Sequence, residues 1–279
     1  MYQTEIRLND TAVLKAFIPK DDFDGRPHGS PRPALLVIPG GGYARVSDRE
    51  DEPVMLPFLA HGYCVFSLRY SVGKNAVFPR PLIEAARAMY EIRSHAAEWN
   101  LDPARVFALG FSAGGHLTAS LGTFWDLPEV IAGAGIPQGS DRPTGIVLCY
   151  PVITSGEHAH KGSFYHLLGT DTPDEAALAR WSVEKHISEK NPPAFFFHSS
   201  DDAGVPVENT LLAASAYAAK RIPFEVHIYP NAPHGSSLCN KLTACGVPGF
   251  INARMARWVE DAYEWMETLP SLTDLPVIS

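Results

Sequence analysis

The segment 106–116 carries a serine at the centre of the pentapeptide Gly-Phe-Ser-Ala-Gly. An apolar run ends at this pentapeptide and small residues follow it, which is typical of a buried strand that turns sharply into a helix. Ser112 is therefore a candidate nucleophile. Glycine at positions 110 and 114 has a steric explanation. The turn residue has a strained backbone, and the residues two before and two after it must be small so that the strand and the helix can approach each other.

A serine nucleophile needs a base that takes its proton, and the base needs a carboxylate that orients it. In a parallel sheet these groups are expected just after the C-terminal ends of strands, where loops converge on a crevice. Segments 198–206 and 230–235 both follow apolar runs and supply such groups. The chain order is then Ser112, an acid at Asp201 or Asp202, and His234 as the base.

Acyl transfer also requires fixed donors for the oxyanion of its tetrahedral intermediate. The backbone N–H of Ala113 is one donor, and Gly41 and Gly42 are the natural others because their glycine run follows an early buried strand. The alternatives for this run are a flexible turn and a phosphate loop. The Lys-Ser/Thr of a P-loop is missing, as is the spaced glycine pattern of a dinucleotide site.

Strands and helices alternate along the chain, which predicts right-handed crossovers and a mostly parallel sheet with helices on both faces. Two short runs at 5–8 and 13–18 predict an opening hairpin at a sheet edge. An apolar stripe from Leu82 to Trp99 predicts one helix, a helix over 53–60 is expected to be interrupted by Pro57, and a stripe over 251–265 predicts a last helix. The predicted strands of the sheet are 34–38, 63–68, 105–109, 145–150, 194–197 and 224–229.

No internal repeat, low-complexity tract or charged linker interrupts the sequence, so we expect residues 1–279 to form a single α/β domain. The longest connection without a clear strand is 151–193. Two interpretations of it have equal weight: it walls a substrate pocket, or it packs over the edge of the sheet. His158 and His160 within it form a weak His-x-His metal pattern, and His116 is expected to pack rather than react.

Composition excludes several classes of partner. The formal charge is −8 and no Lys/Arg run is long enough to track phosphates or anionic lipid, so neither nucleic acid nor a membrane is an expected partner. The first twenty residues lack a signal-peptide pattern, and no stretch is apolar enough to span a membrane.

The four scattered cysteines do not form a disulfide scaffold, and Cys239 and Cys245 lack zinc-site spacing, so we expect a reduced, cytoplasmic protein without a metal or a cofactor.

The chain resembles the α/β-hydrolase esterases, and more narrowly the acetyl esterase and acetylxylan-esterase-like branch. The resemblance lies in the glycine run at Gly41 and Gly42, the pentapeptide around Ser112 and the segments 198–206 and 230–235. The resemblance covers nearly the whole chain. Further stretches that resemble this branch are Ser47-Asp48-Arg49-Glu50, Leu68-Arg69-Tyr70-Ser71-Val72 and Tyr150-Pro151-Val152-Ile153-Thr154-Ser155-Gly156-Glu157. Lipase-like relatives of the hormone-sensitive group differ, because they have His where this chain has Pro39 and carry N-terminal cap helices.

The resemblance implies an α/β-hydrolase fold with a mostly parallel eight-stranded sheet and no large cap domain. It implies a Ser112, Asp202 and His234 triad, in which Asp202 is preferred because the family's acid stands four residues before the proline of a Val-Pro pair. It also implies oxyanion donors at Gly41, Gly42 and Ala113. The expected function is a serine carboxylesterase that removes short acyl groups, above all acetyl, from esters such as acetylated sugars or xylo-oligosaccharides.

Two rival functions belong beside this one. The first is an amidase or peptidase of the same fold, such as a formamidase or a prolyl-oligopeptidase-like enzyme. The second is a non-catalytic binding protein of the same fold, for which the loss of a triad or oxyanion residue is the expected mark. No such loss is found in the sequence.

Overall fold

The computed structural model describes residues 1–27 and 29–276. Eight strands form one sheet in the order β1-β2-β6-β5-β7-β8-β9-β10, and β3 and β4 form a small separate hairpin. The strands are β1 (Tyr2–Arg7), β2 (Val13–Ile18), β3 (Asp22–Phe23), β4 (Arg26–Pro27), β5 (Arg32–Ile38), β6 (Cys64–Arg69), β7 (Leu101–Phe111), β8 (Ile146–Cys149), β9 (Ala194–Ser199) and β10 (Phe224–Tyr229).

The α-helices connect the strands and cover the sheet. They are α1 (Glu52–Ala60), α2 (Arg80–Ser94), α3 (Ala96–Trp99), α4 (Ser112–Phe124), α5 (Pro128–Ala134), α6 (Lys161–Leu168), α7 (Glu175–Arg180), α8 (Glu208–Lys220) and α9 (Trp258–Thr268). Short 3₁₀ turns occur at Asp48–Glu50, Gly73–Asn75, Val183–Lys185, Pro248–Phe250 and Met255–Arg257.

The sheet is parallel except at one edge, where β1 pairs antiparallel with β2 and β2 pairs antiparallel with β6. This edge is the predicted hairpin. In the parallel part, β5 lies beside β7 with Ile38 opposite Gly110. The glycine run after β5 therefore emerges next to the end of β7, where Ser112 begins α4.

The two faces of the sheet have separate apolar layers, because side chains alternate along a strand. On β5, Leu35 and Val37 belong to the layer shared with α1 and α9, while Leu36 and Ile38 belong to the layer shared with α2, α4 and α8. Helices on both faces of a mostly parallel sheet confirm the predicted fold class. In the described residues no insertion forms a large cap. The single-domain prediction extends over residues 28 and 277–279, which lie outside the described residues, and it stays a prediction.

Some helix boundaries differ from the sequence-based expectation. The predicted helix over 82–99 is two helices separated at His95. Pro57 does not interrupt α1, because in this short helix its missing N–H removes only the bond to the carbonyl of Pro53. Ile251 lies outside α9 and is 46% exposed, so it does not belong to the apolar stripe. The helices α5, α6 and α7 were not predicted, because each is too short for a clear periodicity.

Candidate active site

The turn between β7 and α4 forces Ser112 into a strained conformation. Its φ of 52° lies in the left-handed region, which non-glycine residues rarely adopt. A Cβ on Gly110 would lie 2.1 Å from Oγ1 of Thr118, and a Cβ on Gly114 would lie 2.2 Å from the carbonyl oxygen of Ile38. The two glycines therefore permit the close approach of strand and helix that presents the serine.

The loops after β9 and β10 bring the predicted acid and base to this serine. Oγ of Ser112 lies 2.8 Å from Nε2 of His234, and Nδ1 of His234 lies 2.7 Å from Oδ2 of Asp202. Asp201 faces away: its carboxylate accepts hydrogen bonds from Oγ of Ser200 and the amide of Asn231. Of the two aspartates that the residue pattern left open, the structure places Asp202 beside His234.

The carboxylate of Asp202 is buried and fully engaged. Its Oδ1 accepts hydrogen bonds from the amides of Gly204 at 2.9 Å and Val205 at 2.8 Å. Burial alone would raise its pKa, but hydrogen bonds from His198 and His234, the charge of His234 and the Val205 amide together hold the pKa of Asp202 well below its usual range. The group is thus ionised at neutral pH and can stabilise an imidazolium at position 234.

His198, near the end of β9, supports this acid. It is fully buried, its Nε2–H donates to the carbonyl of Val205 at 2.9 Å, and its Nδ1 accepts from Oγ1 of Thr210 at 2.8 Å. The same Nε2 lies 3.4 Å from Oδ2 of Asp202. His198 therefore holds the loop that carries the carboxylate.

The three predicted oxyanion donors occupy suitable backbone positions. Gly41 and Gly42 have φ of +123° and +66°, conformations that favour glycine. In the described part of the chain neither of their amides donates a hydrogen bond, whereas the amide of Gly40 is occupied by Oε2 of Glu50 at 2.9 Å. Ala113 lies in the first turn of α4, where amides have no partner within the helix. All three amides are free to bind an incoming oxygen.

A buried network that the sequence analysis missed joins the glycine loop to the histidine loop. Glu50 accepts from the amide of Gly40 and, at 2.7 Å, from the hydroxyl of Tyr150, whose oxygen accepts from the amide of Ser237 at 2.9 Å. The ring of Tyr150 also packs edge-on against His234, with centroids 5.1 Å apart. From the sequence, Tyr150 was predicted only as the last residue of a strand, and Glu50 was noted only within a stretch that resembles the family.

Arg49 holds the histidine loop from the other side. Its guanidinium donates to the carbonyl oxygens of Thr243 at 2.6 Å and Gly235 at 2.8 Å, and it lies 4.1 Å from the ring centroid of Phe250. Since Gly235 follows His234 directly, Arg49 fixes the backbone next to the base.

A cleft of about 480 Å³ opens over the serine. Its lining includes Ser112 and His234, the glycine loop, Arg45, and three residues of the 151–193 connection, namely His160, Gly162 and His166. In the same connection Phe164 is buried in the core. The connection therefore contributes to the wall of the cleft and also packs in the apolar core, while its packing over the edge of the sheet stays a prediction.

His116 behaves as a structural group, and the residues named as possible metal ligands do not come together in a cluster within the part of the chain that the structure describes. His116 is fully buried between the hydroxyl of Tyr43 and the carbonyl of Trp181, and burial lowers its pKa to about 4, so it packs as a neutral ring. Over residues 1–27 and 29–276, no cluster of three or more His, Cys, Asp or Glu is arranged to hold a metal ion. All four cysteines are free thiols. No helix of the same ranges is long and apolar enough to cross a bilayer.

Solved structures place the chain in a family. It matches the acetyl ester-xyloside bifunctional hydrolase from Caldicellulosiruptor lactoaceticus over 95% of its own length and 96% of that chain, with a TM-score of 0.79 and 34% identity. The chain belongs to the α/β-hydrolase esterases, in their acetylxylan-esterase-like branch. The resemblance inferred from the sequence motifs is thereby confirmed.

Other comparisons agree with membership of these esterases. Residues 25–134 match the family described as BD-FAE, and residues 153–268 match the prolyl oligopeptidase family. Endo-1,4-beta-xylanase B of Butyrivibrio fibrisolvens is 36% identical over 81% of the chain, and the acetylxylan esterase of Xylanibacter ruminicola is 29% identical over 72% of it. The chain spans only 35% and 40% of the lengths of these two curated relatives.

Proposed function

We propose that this protein is a serine carboxylesterase that removes acetyl groups from acetylated sugars, with xylo-oligosaccharides as the leading candidates. The observation that carries the chemistry is the continuous chain of hydrogen bonds from Ser112 through His234 to Asp202, with lengths of 2.8 and 2.7 Å. The support for an acetylated sugar comes from the relatives, two of which are named as an acetyl ester-xyloside hydrolase and an acetylxylan esterase.

The proposed reaction proceeds through an acyl-enzyme. Oγ of Ser112 attacks the ester carbonyl while Nε2 of His234 takes its proton and then delivers that proton to the departing alcohol. Asp202 holds Nδ1–H of His234 and stabilises the imidazolium. The amides of Gly41, Gly42 and Ala113 bind the oxyanion, and water activated by His234 then releases acetate. Each step is assigned to groups of the chain itself, so we propose no metal and no cofactor.

The direct test is release of acetate from acetylated xylo-oligosaccharides, with a chromogenic acetyl ester measured in parallel. The wild-type protein is expected to hydrolyse both substrates, and Ser112→Ala neither, while its circular dichroism spectrum stays unchanged. If the wild type hydrolyses the chromogenic ester alone, the sugar is the wrong alcohol. If a folded wild type hydrolyses neither, the esterase proposal fails.

An amidase or peptidase of the same fold is the second candidate. The match of residues 153–268 to the prolyl oligopeptidase family favours it, because these residues carry both the acid and the base. The same triad can cleave either bond, so a matched acetyl ester and acetamide with the same leaving skeleton separate the two. We expect the ester to have the higher kcat/KM, and faster turnover of the amide would replace our proposal.

The binding-protein alternative has no support, since every proposed catalytic group is present. Cytoplasmic location stays a prediction.

A further inference from the structure

His160 is a polar group of the cleft to which the proposed triad mechanism gives no role. It precedes α6, and its Nδ1 accepts a hydrogen bond from the amide of Ser163 at 3.3 Å and lies 2.8 Å from the hydroxyl of the same serine. The ring therefore caps the helix, which satisfies one of the amides that the first helical turn leaves without a partner. A purely structural role would end with this cap.

The cap also fixes which nitrogen of His160 carries the proton. A backbone N–H can only donate, so Nδ1 must present its lone pair, and in a neutral imidazole the proton then lies on Nε2. Burial, followed by the nearby charge of His234, lowers the pKa of His160, so the ring is neutral at physiological pH. His160 thus has one free donor, Nε2–H, held in a defined orientation by its own cap.

That donor is available to a ligand. His160 lines the cleft, and within the described residues its Nε2 has no hydrogen-bond partner and is not among the buried unsatisfied atoms, so solvent reaches it. A Cβ placed on Gly42 would lie 3.9 Å from Cε1 of the ring, which locates the imidazole beside the proposed oxyanion loop. A substrate bound for attack by Ser112 therefore passes close to Nε2–H.

The charge of the cleft lining limits what this donor can recognise. The basic side chains there include Arg45, while the carboxylate among the lining residues, Glu50, is already engaged by Gly40 and Tyr150. The described lining therefore offers no free carboxylate to a cationic alcohol. It suits an alcohol whose oxygen atoms accept hydrogen bonds.

We infer that His160 is a specificity-determining residue whose Nε2–H donates a hydrogen bond to a hydroxyl oxygen on the alcohol part of the ester, next to the scissile bond. The alcohol leaves from the side of His234, which protonates it, and His160 lines the same cleft as His234. The inference rests on the proposed esterase function and adds to it the group that distinguishes a hydroxylated alcohol from a plain one.

Two substitutions separate the cap from the donor. His160→Asn keeps a short side-chain oxygen that can cap α6, because Asn is among the preferred N-cap residues, but it loses the donor at the distance of Nε2. His160→Gln places an amide N–H near the position of Nε2 but is a poor cap. His158→Asn is the matched control, since His158 lies two residues earlier and is not part of the cleft lining.

The experiment compares kcat/KM for a monoacetylated methyl β-xylopyranoside and for cyclohexyl acetate, whose alcohol has a ring but no free hydroxyl. His160→Asn is expected to keep the wild-type melting temperature and to lose between about threefold and tenfold on the sugar ester, mainly in KM, which is the range for one neutral hydrogen bond. Its rate on cyclohexyl acetate should stay within about twofold of the wild type. His160→Gln should melt earlier but retain more of the preference for the sugar ester.

The outcomes distinguish this inference from the proposed function. The wild-type rates test the function: no turnover of the sugar ester with turnover of cyclohexyl acetate would refute the sugar as substrate. The variants test His160. Equal losses of His160→Asn on both substrates, or wild-type rates on both, would overturn its role in recognising the alcohol, as would a loss of the same size in His158→Asn.

Discussion

The cleft has an edge that we propose to be catalytic, formed by the strand ends that carry Ser112, Asp202 and His234. It also has a wall, to which the segment 151–168 contributes His160, Gly162 and His166. The edge is constrained by backbone sterics: the two glycines around Ser112 could not carry a Cβ without contacts near 2 Å to neighbouring atoms. In the segment 151–168, by contrast, a buried side chain holds several backbone groups. Asn209 of α8 accepts from the amides of Ile153 and Thr154 and donates to the carbonyl of His158.

The difference bears on how each region can vary. A backbone that must pass within van der Waals contact of another backbone admits few residues, so its sequence is nearly prescribed. A wall that is held by a few side-chain hydrogen bonds tolerates substitution of the residues that do not take part in those bonds. His160 is one of these residues. The edge therefore supports the reaction, and the wall is the region suited to choosing the substrate.

The sharpest test of the edge is the pair of adjacent aspartates. Asp202→Asn is expected to lower kcat by about 10³–10⁴-fold. The neutral amide cannot stabilise the imidazolium, and with its oxygen on the Gly204 and Val205 amides it presents an N–H to Nδ1 of His234, which favours the wrong tautomer. Asp201→Asn makes the same chemical change one residue away, where the carboxylate faces Ser200 and the amide of Asn231. It should change kcat by less than about threefold. Steady-state rates on a chromogenic acetyl ester measure both, and the reverse ranking would move the acid to Asp201.

A glycine-to-alanine pair compares the edge with the wall directly. In Gly114→Ala the new Cβ would lie 2.2 and 2.3 Å from the carbonyl oxygens of Ile38 and Pro39, so β5 or α4 must shift. We expect a loss of about 3 kcal/mol or more in the free energy of unfolding. Gly162→Ala meets nothing closer than Cε1 of His160 at 3.7 Å. Since Gly162 lies within α6, alanine there should stabilise by about 0.5–1 kcal/mol.

Chemical denaturation of the two alanine variants and the wild type gives these free energies. Similar destabilisation of both variants would remove the distinction between a sterically prescribed edge and a tolerant wall.

The same distinction explains how far the sequence could predict the structure. The strands, the serine turn and the loops that carry the acid and His234 were predictable because apolar runs and the prescribed glycines leave local patterns. The residue pattern did not decide between Asp201 and Asp202. Adjacent side chains point in different directions, and the turn after β9 determines which of them faces the histidine. The preference for Asp202 came from family resemblance, and the structure places that side chain beside His234.

The supporting contacts left no such pattern. Tyr150 and Glu50 are 100 residues apart, and Tyr150 and Ser237 are 87 apart, so their meeting depends on the packing of the whole sheet. The helix α6 has only eight residues, one of them a glycine, and is too short for its apolar residues to show a period. The proposed role of His160 could not be predicted from the sequence either. It follows from the cap of this helix and from the place of His160 in the cleft.

The attachment of the wall can be broken at Asn209, which is fully buried. Asn209→Ala would leave the amides of Ile153 and Thr154 without their shared acceptor, so we expect a loss of about 2–3 kcal/mol in unfolding free energy. Because the triad does not touch this residue, kcat on a small chromogenic ester should fall by less than about fivefold, while KM for a sugar ester should rise. A fall in kcat as large as that of Asp202→Asn would show that the wall and the edge are not separable.

The smallest expected effect concerns the contact that joins the glycine loop to the histidine loop within the edge. Tyr150→Phe keeps the ring against His234 but removes the hydroxyl between Glu50 and the amide of Ser237, which leaves a buried acceptor and a buried donor without that partner. We expect a loss of about 1–2 kcal/mol in unfolding free energy and a fall in kcat of up to about tenfold, with KM nearly unchanged. Thermal melts and steady-state kinetics measure the two effects. Since the ring and its packing remain, a change in stability with wild-type kcat would mean that Tyr150 supports the fold alone and does not align the two loops for catalysis.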